Sequence, residues 1–455
     1  MSAPEPSTLE AAAEKVVRQL RAGGFEAVFA GGCVRDMLRG VEAKDYDVAT
    51  SARPAEVQRI FSHSRAVGAH FGVIIVPMGG HHFEVATFRT DGSYLDGRRP
   101  ESVEFATAEE DAQRRDFTVN GLFFDPIGKQ VIDYVGGRAD LEAKVLRAIG
   151  DPAARFGEDR LRLLRAVRFA AALEFGIEDR TWAALKELAP TIRDISVERI
   201  REEISRILLD RHRVRGFDLL CDSGLMEAVI PEVLALKGCE QPPEFHPEGD
   251  VFVHTRLMLS LLPEKVSLPL VLSVLLHDIA KPVTRFYDPV AGRARFNEHD
   301  RIGAEMTGAI LRRLRFSNEV TDATVEMVAQ HMAFMNVQKM RTAKLRRFMA
   351  RPTFEQEMEL HRVDCLGSNG FTDNYEFLLH KREEFANEPI IPPRLVDGRA
   401  LMALGFPPGP VLGRVLNEIQ TLQLEGQLTS AEDAIAWARK RLASPDPASS
   451  DADGE

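Results

Sequence analysis

A glycine pair followed by a pair of aspartates constrains the first part of this chain more than any other feature. Gly31 and Gly32 come directly after a short apolar run that predicts a buried strand, and they open a predicted helix that carries Arg35. Glycine lets backbone N–H groups approach a phosphate closely, and the start of a helix favours negative charge. Asp45 and Asp47 accompany a second predicted strand, on which residues two apart share a face and can share a divalent cation. The pattern predicts a metal-dependent triphosphate site on a strand–helix–strand unit of the βαβ kind.

Each half of this pattern also has a plainer interpretation. Gly-Gly before a helix often makes only a tight turn, and Asp-x-Asp often caps a loop, so the prediction depends on the shared context. A third carboxylate, Glu84, interrupts the apolar pattern of the strand predicted at 83–88. Glu84 either completes a metal site with the two aspartates or is an exposed glutamate on an edge strand.

Composition and charge limit the class of protein. At 455 residues with 44% hydrophobic side chains, the chain is expected to fold into about two to four globular domains. The longest apolar run, Leu268–Leu276, is too short to span a bilayer, and Met1–Glu10 carries no export signal. The four scattered cysteines form no Cys-x-x-Cys pair, which favours a reducing, cytoplasmic location. A net charge of −11 argues against coating nucleic acid through bulk charge, so any nucleic acid is expected to bind a local patch.

The predicted elements describe an α+β chain with a small mixed-sheet head and an all-α remainder. Short β-branched runs alternate with turns in the head, and nearly every later segment has helical spacing. The polar segment Thr90–Ala112 predicts a mobile loop, and the Pro-rich stretch Gln241–Pro247 predicts a linker. We expect a head, a neck and body, a second helical domain, a C-terminal helical extension and a disordered tail, bounded as 1–138, 139–240, 250–385, 390–442 and 443–455.

A second polar cluster lies in Arg114–Leu122. Its arginines, carboxylate, hydroxyl and amide suit contact with ribose and phosphate, with Arg115, Asp116 and Asn120 as the candidates. A surface ion pair between Arg115 and Asp116 explains the pattern almost as well. Asn120, which precedes an apolar run, is also suited to cap a helix.

Four charged residues three apart, Asp159, Arg162, Arg165 and Arg168, predict one polar stripe on a helix. Such a stripe is usually a solvated face, but four arginines within nine residues exceed what one helix surface needs. An aspartate accepts and an arginine donates, so the two together can mimic a Watson–Crick edge. Cytosine and adenine each present an acceptor beside a donor, whereas guanine and uracil present a donor at the ring nitrogen. An Asp–Arg fork therefore selects C and A together.

Histidines and aspartates recur through the second predicted helical domain in a pattern that suits metal binding. A single His-Asp pair indicates little, because a buried histidine oriented by an aspartate is common. The set here is larger, and its first four members suit one divalent metal while its last two suit a second. The set consists of His254, His277, Asp278, Asp364, His299 and His331.

Taken with the glycine and aspartate pairs, the strings Arg114–Asn120 and Glu158–Phe169 closely resemble the bacterial CCA-adding enzymes. These are tRNA nucleotidyltransferases of the class that also contains bacterial poly(A) polymerases. The resemblance spans residues 25–235 in order, with Glu198–Glu203 as the next helical motif and Gly121 as a small departure where the family more often has alanine. The histidine pattern resembles the HD metal-dependent phosphohydrolase domain. In some CCA-adding enzymes that domain follows the transferase and is associated with phosphatase or cyclic phosphodiesterase activity on nucleotides.

The resemblance implies template-independent addition of C and A to the 3′ end of tRNA, with CTP, ATP and tRNA as partners and neither membrane nor DNA. Asp45 and Asp47 are expected to hold two Mg²⁺ ions that activate the primer 3′-hydroxyl and clamp the triphosphate, with Glu84 as a third carboxylate. Asp159 and Arg162 are expected to read the base, and the HD site to take a divalent transition metal. Nucleotide contacts are implied for Gly31, Gly32, Arg35, Arg115, Asp116, Asn120, Asp159, Arg162, Arg165 and Arg168.

Three other activities stay open on these motifs. Within the transferase class they are a poly(A) polymerase and a partial enzyme that adds only CC or only A. The segment Val67–Val73 looks more like the CCA-adding enzymes than the polymerases. From another class, the chain would be an HD phosphohydrolase with a binding-only head, which the intact Asp45, Asp47, Asp159 and Arg162 argue against. The sequence does not give the oligomeric state.

Overall fold

The computed structural model describes residues 8–66, 72–91 and 103–443. The segment Val67–Val73 therefore falls largely outside the described residues, as does nearly all of the expected disordered tail. Within the described ranges, no helix is both long enough and apolar enough to cross a membrane.

The described residues divide into two compact units. The second unit consists of Gly238–Leu262, Leu272–Gly308 and the chain from Asn318 onward. All other described residues belong to the first unit, which contains the main sheet. The finer division into four folded regions stays a prediction.

Short strands supply the sheet of the first unit. They are β1 (Ala27–Ala30), β2 (Asp47–Thr50), β3 (Arg65–Ala66), β4 (Val73–Met78), β5 (His81–Thr87), β6 (Arg89–Asp91), β7 (Val103–Phe105), β8 (Phe123–Asp125), β9 (Gln130–Ile132), β10 (Val145–Leu146) and β11 (Gly176–Ile177). Seven of them form one mixed sheet in the order β3-β4-β5-β2-β1-β8-β9. The alternation in β4 and β5 buries Ile74, Val76, Phe83 and Val85, as period-two strands do.

The helices of the first unit up to residue 237 are α1 (Thr8–Ala22), α2 (Gly32–Leu38), α3 (Pro54–Ile60), α4 (Ala108–Gln113), α5 (Gly137–Ala143), α6 (Pro152–Glu158), α7 (Leu161–Leu173), α8 (Asp179–Leu188), α9 (Val197–Leu209), α10 (Arg213–Asp222), α11 (Leu225–Val229) and α12 (Pro231–Leu234). The first three, α1, α2 and α3, contact the main sheet, and the later ones pack mostly on one another. The predicted mixed-sheet head followed by a mostly helical region is confirmed.

The β1–α2–β2 segment differs from the predicted βαβ unit, because β1 and β2 pair antiparallel. The register sets Ala30 opposite Asp47, so the end of β1 lies beside the start of β2. A parallel pair would place the starts of both strands together and separate the aspartates from the glycine pair by the length of a strand. The antiparallel register is therefore what brings Gly31 and Asp47 to one end of the sheet.

Glu84 lies in the interior of the sheet. β2 pairs parallel with β5 in the register Val48↔Val85, which sets Asp47 and Glu84 side by side on neighbouring strands. β5 is also paired with β4 on its other side, so the edge-strand interpretation of Glu84 is wrong.

The predicted mobile loop at Thr90–Ala112 is regular at both of its described ends. β6 pairs antiparallel with β7, and α4 follows. Thr107 begins α4 by accepting the Glu110 backbone N–H, while the Glu110 carboxylate accepts the Thr107 backbone N–H. This reciprocal capping box explains why the polar run after β7 is helical. Residues 92–102 lie outside the described residues.

From Val251 onward the described chain is helical except for one hairpin. The elements are α13 (Val251–Leu261), α14 (Leu268–Leu276), α15 (Lys281–Thr284), β12 (Arg285–Asp288), β13 (Arg293–Phe296), α16 (His299–Arg313), α17 (Asn318–Gln330), α18 (Thr342–Met349), α19 (Phe354–Gly367), α20 (Asp373–Glu384), α21 (Gly398–Ala403), α22 (Pro410–Leu424) and α23 (Ala431–Ala443). The β12–β13 hairpin corrects the all-helical expectation for this region. The last three helices share a core of their own around Leu401, Ile419 and Ala438.

Gly216 is packed too tightly to accept a side chain. It lies in α10 against α9, and an added Cβ would come within 2.5 Å of Ile207 Cγ2. Alanine gains helix propensity, but overpacking costs about 1–3 kcal/mol, so we expect Gly216→Ala to lower the midpoint of urea unfolding.

Two companion variants test the steric cause. Ile207→Leu removes the branch at Cβ and should restore much of the loss in the double variant. Gly157→Ala, in α6 with no atom within 4 Å of its Cβ, should stabilise by about 0.5–1 kcal/mol. Equal stabilisation by Gly216→Ala and Gly157→Ala would contradict the packing argument.

Candidate nucleotide and metal sites

A cleft of about 850 Å³ opens in the first unit, at the end of the sheet where β1 ends and β2 begins. The predicted transferase residues that line it are Gly31, Gly32, Arg35, Asp45, Asp47, Glu84, Arg115, Asp116, Asn120, Asp159, Arg162 and Arg165. Arg168 is not among the described residues that line the cleft.

Gly31 lies beside Arg115 in the cleft. Its backbone has φ +73°, a left-handed conformation that glycine adopts without strain. An added Cβ would lie 2.9 Å from Arg115 Nη1. Glycine is therefore favoured here by its conformation, and a side chain would also displace the Arg115 guanidinium.

Three carboxylates, those of Asp45, Asp47 and Glu84, face the cleft. Asp45 precedes β2 instead of lying on it, because pairing with β1 begins only at Asp47. Burial raises the pKa of Asp47 to about 6, and repulsion from Asp45 and Glu84 adds to this, while Arg115 opposes it. A cluster of carboxylates that repel one another in a cleft suits a hard divalent cation, so the donor set fits magnesium.

Asp116 joins three separate elements of the cleft. Its Oδ2 accepts hydrogen bonds from Arg165 Nε at 2.8 Å and Nη2 at 2.5 Å, and its Oδ1 accepts from Asn120 Nδ2 at 3.0 Å. Asn120 Oδ1 in turn accepts from Arg35 Nη1 at 2.7 Å. Burial by itself would raise the pKa of Asp116, but the Arg165 charge and the hydrogen bond from Asn120 lower it to about 2.

These contacts correct two of the plainer interpretations. Asp116 pairs with Arg165 of α7, not with its neighbour Arg115. Asn120 ends a short 3-10 turn and bridges Asp116 to Arg35, so it does not cap a helix.

Asp111 holds the two arginines that sequence analysis grouped with Asp116. Its Oδ1 accepts from Arg114 Nη2 at 2.7 Å, and its Oδ2 accepts from Arg115 Nη2 at 3.0 Å. The side chain of Asp111 is 2% exposed. Sequence analysis missed this residue, although its spacing of three and four before the arginines is a helical ion-pair signal.

The predicted Asp–Arg fork is made of two residues that each have another partner. Asp159 lies between α6 and α7, not on the helix, because its carboxylate accepts the Leu161 backbone N–H. Arg199 Nη2 binds Asp159 at 2.8 Å, and Arg162 Nη1 binds Glu158 at 2.6 Å. Both fork residues line the same cleft, and they bond to each other through the backbone, where Arg162 N donates to Asp159 O at 3.0 Å.

Arg168 lies behind the cleft. Its Nε donates to Glu203 of α9 at 2.6 Å, and its guanidinium lies 4.1 Å from the centre of the Phe169 ring. Arg35 and Arg165 also lie over Phe169, at 5.5 and 5.2 Å. The ring is therefore a shared support for three cations.

The six predicted metal ligands of the second unit lie together. Asp278 is central: its Oδ2 is 3.1 Å from His277 Nε2, and its Oδ1 is 3.5 Å from His299 Nε2 and 4.0 Å from His331 Nε2. His254 Nε2 lies 3.1 Å from Asp364 Oδ1. A cavity of about 550 Å³ opens above this cluster.

Backbone carbonyls orient three of the four histidines. His277, His299 and His331 each place Nδ1 within 2.6–3.0 Å of the carbonyl oxygen three residues earlier. A carbonyl only accepts, so Nδ1 carries the proton and Nε2 presents a lone pair. This tautomer is assigned from the hydrogen bonds.

The unpaired atoms of this cluster converge as metal ligands do. His299 Nε2 and His331 Nε2, both acceptors, lie 3.1 Å apart. Burial, with the neighbouring His277 and His299, lowers the pKa of His331 to about 4 and keeps it neutral. His254 Nε2, His277 Nε2 and both Asp278 oxygens lack a partner with hydrogen-bond geometry among the described residues. Lys281 Nζ lies 2.7 Å from Asp278 Oδ2 and is the one cation that the described ion pairs place on this carboxylate besides the histidines. The histidine Nε2 atoms and Asp278 Oδ1 face one another as acceptors, and such a set suits a divalent transition metal.

The mixed-sheet head with its carboxylate- and arginine-lined cleft is that of a poly(A) polymerase-type nucleotidyltransferase. The model "Poly A polymerase head domain" matches residues 27–147, and "Probable RNA and SrmB-binding site of polymerase A" matches residues 174–236. A CCA-adding enzyme of Lactobacillus helveticus is 32% identical over 430 residues, which cover 92% of this chain and 94% of that protein. The chain belongs to the CCA-adding enzymes.

Two solved structures have the same fold. The Bacillus stearothermophilus CCA-adding enzyme in complex with CTP matches with a TM-score of 0.75 and 26% identity, covering 95% of this chain and 97% of that one. The Thermotoga maritima CCA-adding enzyme complexed with tRNA_CCA matches with a TM-score of 0.60 and 18% identity, covering 94% of each chain.

The Asp116–Arg165 pair predicts a pH-dependent loss of stability. Because the pKa of Asp116 is lowered in the folded protein, the pair stabilises it above the ordinary aspartate pKa of about 3.9, and this contribution is lost as the pH falls towards 2. Asp116→Asn should lower the free energy of unfolding by about 1–3 kcal/mol at pH 7, and by less at pH 3. Urea unfolding at both pH values measures this. A difference of the same size at both would contradict the assignment.

Proposed function

We propose that this chain builds the CCA terminus of tRNA from CTP and ATP without a template. The observation that carries the proposal is a single cleft that holds Asp45, Asp47 and Glu84 together with Asp159 and Arg162. The first set suits metal-assisted nucleotidyl transfer and the second suits selection of C and A. The solved relatives in complex with CTP and with tRNA_CCA support the same substrates.

Asp45 and Asp47 hold Mg²⁺, with Glu84 beside them. When bound, two such ions activate the attacking hydroxyl and stabilise the charge of the triphosphate. Arg35, with the backbone of Gly31 and Gly32, contacts the phosphates, where guanidinium and N–H donors meet anionic oxygens.

The base meets Asp159 as acceptor and Arg162 as donor. Arg199 behind Asp159 and Glu158 behind Arg162 hold these side chains in place before a nucleotide arrives. Such preorganisation matters because a fork that must first become ordered loses affinity and discrimination. We infer that one fork serves both nucleotides, since cytosine and adenine present the same acceptor–donor order.

Two of the implied nucleotide contacts act through other residues. Asp116 already accepts four hydrogen bonds, from Arg165 twice, from Asn120 and from the Phe117 backbone N–H. We infer that it positions Arg165 and Asn120 toward ribose and phosphate and does not bind them itself. Arg168 similarly acts through Glu203 and Phe169.

The histidine cluster is proposed as the metal centre of a second, phosphohydrolase activity. His254, His277, Asp278 and Asp364 would hold one divalent transition metal, and His299 and His331 a second, with Asp278 within reach of both. A metal so held supplies an activated water for hydrolysis of a phosphate ester. The cavity above the cluster leaves room for a nucleotide-sized substrate.

Reciprocal variants separate the two activities. Asp47→Asn removes a carboxylate from the transferase metal site and should abolish incorporation of labelled CMP and AMP into tRNA, while leaving hydrolysis of a cyclic nucleotide phosphodiester intact. Asp278→Asn should do the opposite, because it lies in the other unit. Each variant is the folding control for the other. Incorporation that survives Asp47→Asn would overturn the transferase assignment.

A further inference from the structure

The segment Gly238–Asp250, named the strap here, precedes α13 and contains the stretch Gln241–Pro247 that was predicted as a linker. Its ends are tied together, since Gly238 N donates to Asp250 Oδ2 at 2.7 Å and Val251 N donates to Cys239 O at 3.1 Å. Gln241, Phe245 and His246 of the strap line the histidine cavity. The strap is therefore a closed loop that forms one wall of the proposed metal centre.

Glu248 of the strap contacts a predicted metal ligand directly. Its Oε1 lies 2.7 Å from His254 Nδ1 and 2.9 Å from His246 Nδ1, and its side chain is 8% exposed. The carbonyl oxygen of Gly367 lies 3.2 Å from the same His254 Nδ1. Both neighbours of this nitrogen only accept, so Nδ1 must carry the proton. In the neutral ring that binds a metal, the lone pair of His254 is therefore at Nε2, on the side of Asp364.

His254 differs in this respect from the other three histidines. His277, His299 and His331 are oriented by a carbonyl three residues earlier, so their own local backbone fixes them. His254 depends on a carboxylate from a segment that precedes its helix. A carboxylate acceptor also makes the opposite ring nitrogen a stronger ligand, as in carboxylate–histidine–metal triads.

The His246–Glu248–His254 group is better explained as a hydrogen-bonded set than as a third cation site. Although its ligand atoms lie within 4.8 Å of one another, Glu248 Oε1 is already at hydrogen-bond distance from both Nδ1 atoms. Within this group Glu248 Oε2 and His254 Nε2 lack a hydrogen-bond partner among the described residues, and the unpaired His254 Nε2 belongs with His277 Nε2 and the two Asp278 oxygens in the proposed centre.

We propose that Glu248 is a positioning residue of the histidine centre, which holds His254 in the tautomer that presents Nε2 to a divalent cation and so couples the order of the strap to metal binding. The inference rests on the metal centre proposed above. It requires that removal of the Glu248 charge weakens metal binding. It also requires that bound metal slows hydrogen exchange of the strap amides.

The test is Mn²⁺ titration by calorimetry in the full chain, in an Asp47→Asn background that silences the transferase site. Glu248→Gln should lower the affinity by about 10–100-fold, the usual effect of losing such a partner. Glu240→Gln is the matched control, because Glu240 lies on the same strap with its side chain 83% exposed. It should bind Mn²⁺ as the parent does. Glu248→Asp keeps the charge on a shorter side chain and should fall between the two.

Hydrogen exchange gives a second measurement, and a purely structural role of Glu248 would not change its dependence on Mn²⁺. Mn²⁺ should slow exchange of the strap amides in the parent and in Glu240→Gln but not in Glu248→Gln, with all three showing the same circular dichroism. Parent-like affinity and protection in Glu248→Gln would overturn this inference while the metal centre stands. If the parent does not bind Mn²⁺, or if Asp278→Asn binds Mn²⁺ as tightly as the parent, the metal centre and this inference are overturned together.

Discussion

The buried carboxylate of Asp116 is the interaction on which the cleft of the first unit depends. It fixes Arg165 of α7 and Asn120 of the preceding turn, and through Asn120 it fixes Arg35 of α2. The same principle recurs around the cleft, where Asp111 holds both Arg114 and Arg115. Acidic partners keep the arginines of the cleft ordered, and among the described residues that line it eight arginines outnumber six acidic side chains, which suits an anionic substrate.

The cleft-lining residues could be found from the sequence because each belongs to a short motif with its own chemistry. Their partners could not, since Asp116 and Arg165 are 49 residues apart and Asp159 and Arg199 are 40 apart. Nearest-neighbour reasoning gave the wrong pair, Arg115 with Asp116, because adjacent residues in a turn need not face each other. The antiparallel pairing of β1 and β2 was missed for a similar reason: periodicity predicts strands but not their direction.

The second unit shows how far local sequence can orient a metal ligand. Three histidines take their tautomer from a carbonyl three residues earlier, which local backbone structure supplies at a helix end for His277 and His331 and at the end of β13 for His299. The fourth, His254, needs Glu248 from a Pro-rich stretch whose composition predicts only a linker. A turn-rich composition indicates where the chain leaves regular structure, but it does not indicate what the segment contacts.

The central claim is that a single fixed cleft adds C and A to tRNA and then stops. The most direct measurement gives the purified chain tRNA transcripts that lack the terminal CCA, CA or A, with labelled CTP and ATP together, and sequences the products. The account predicts completion to CCA on every transcript, with no further addition. Long A tails would contradict it in favour of a poly(A) polymerase. A partial enzyme would be indicated instead if the products end at CC, or if only the transcript that lacks A grows.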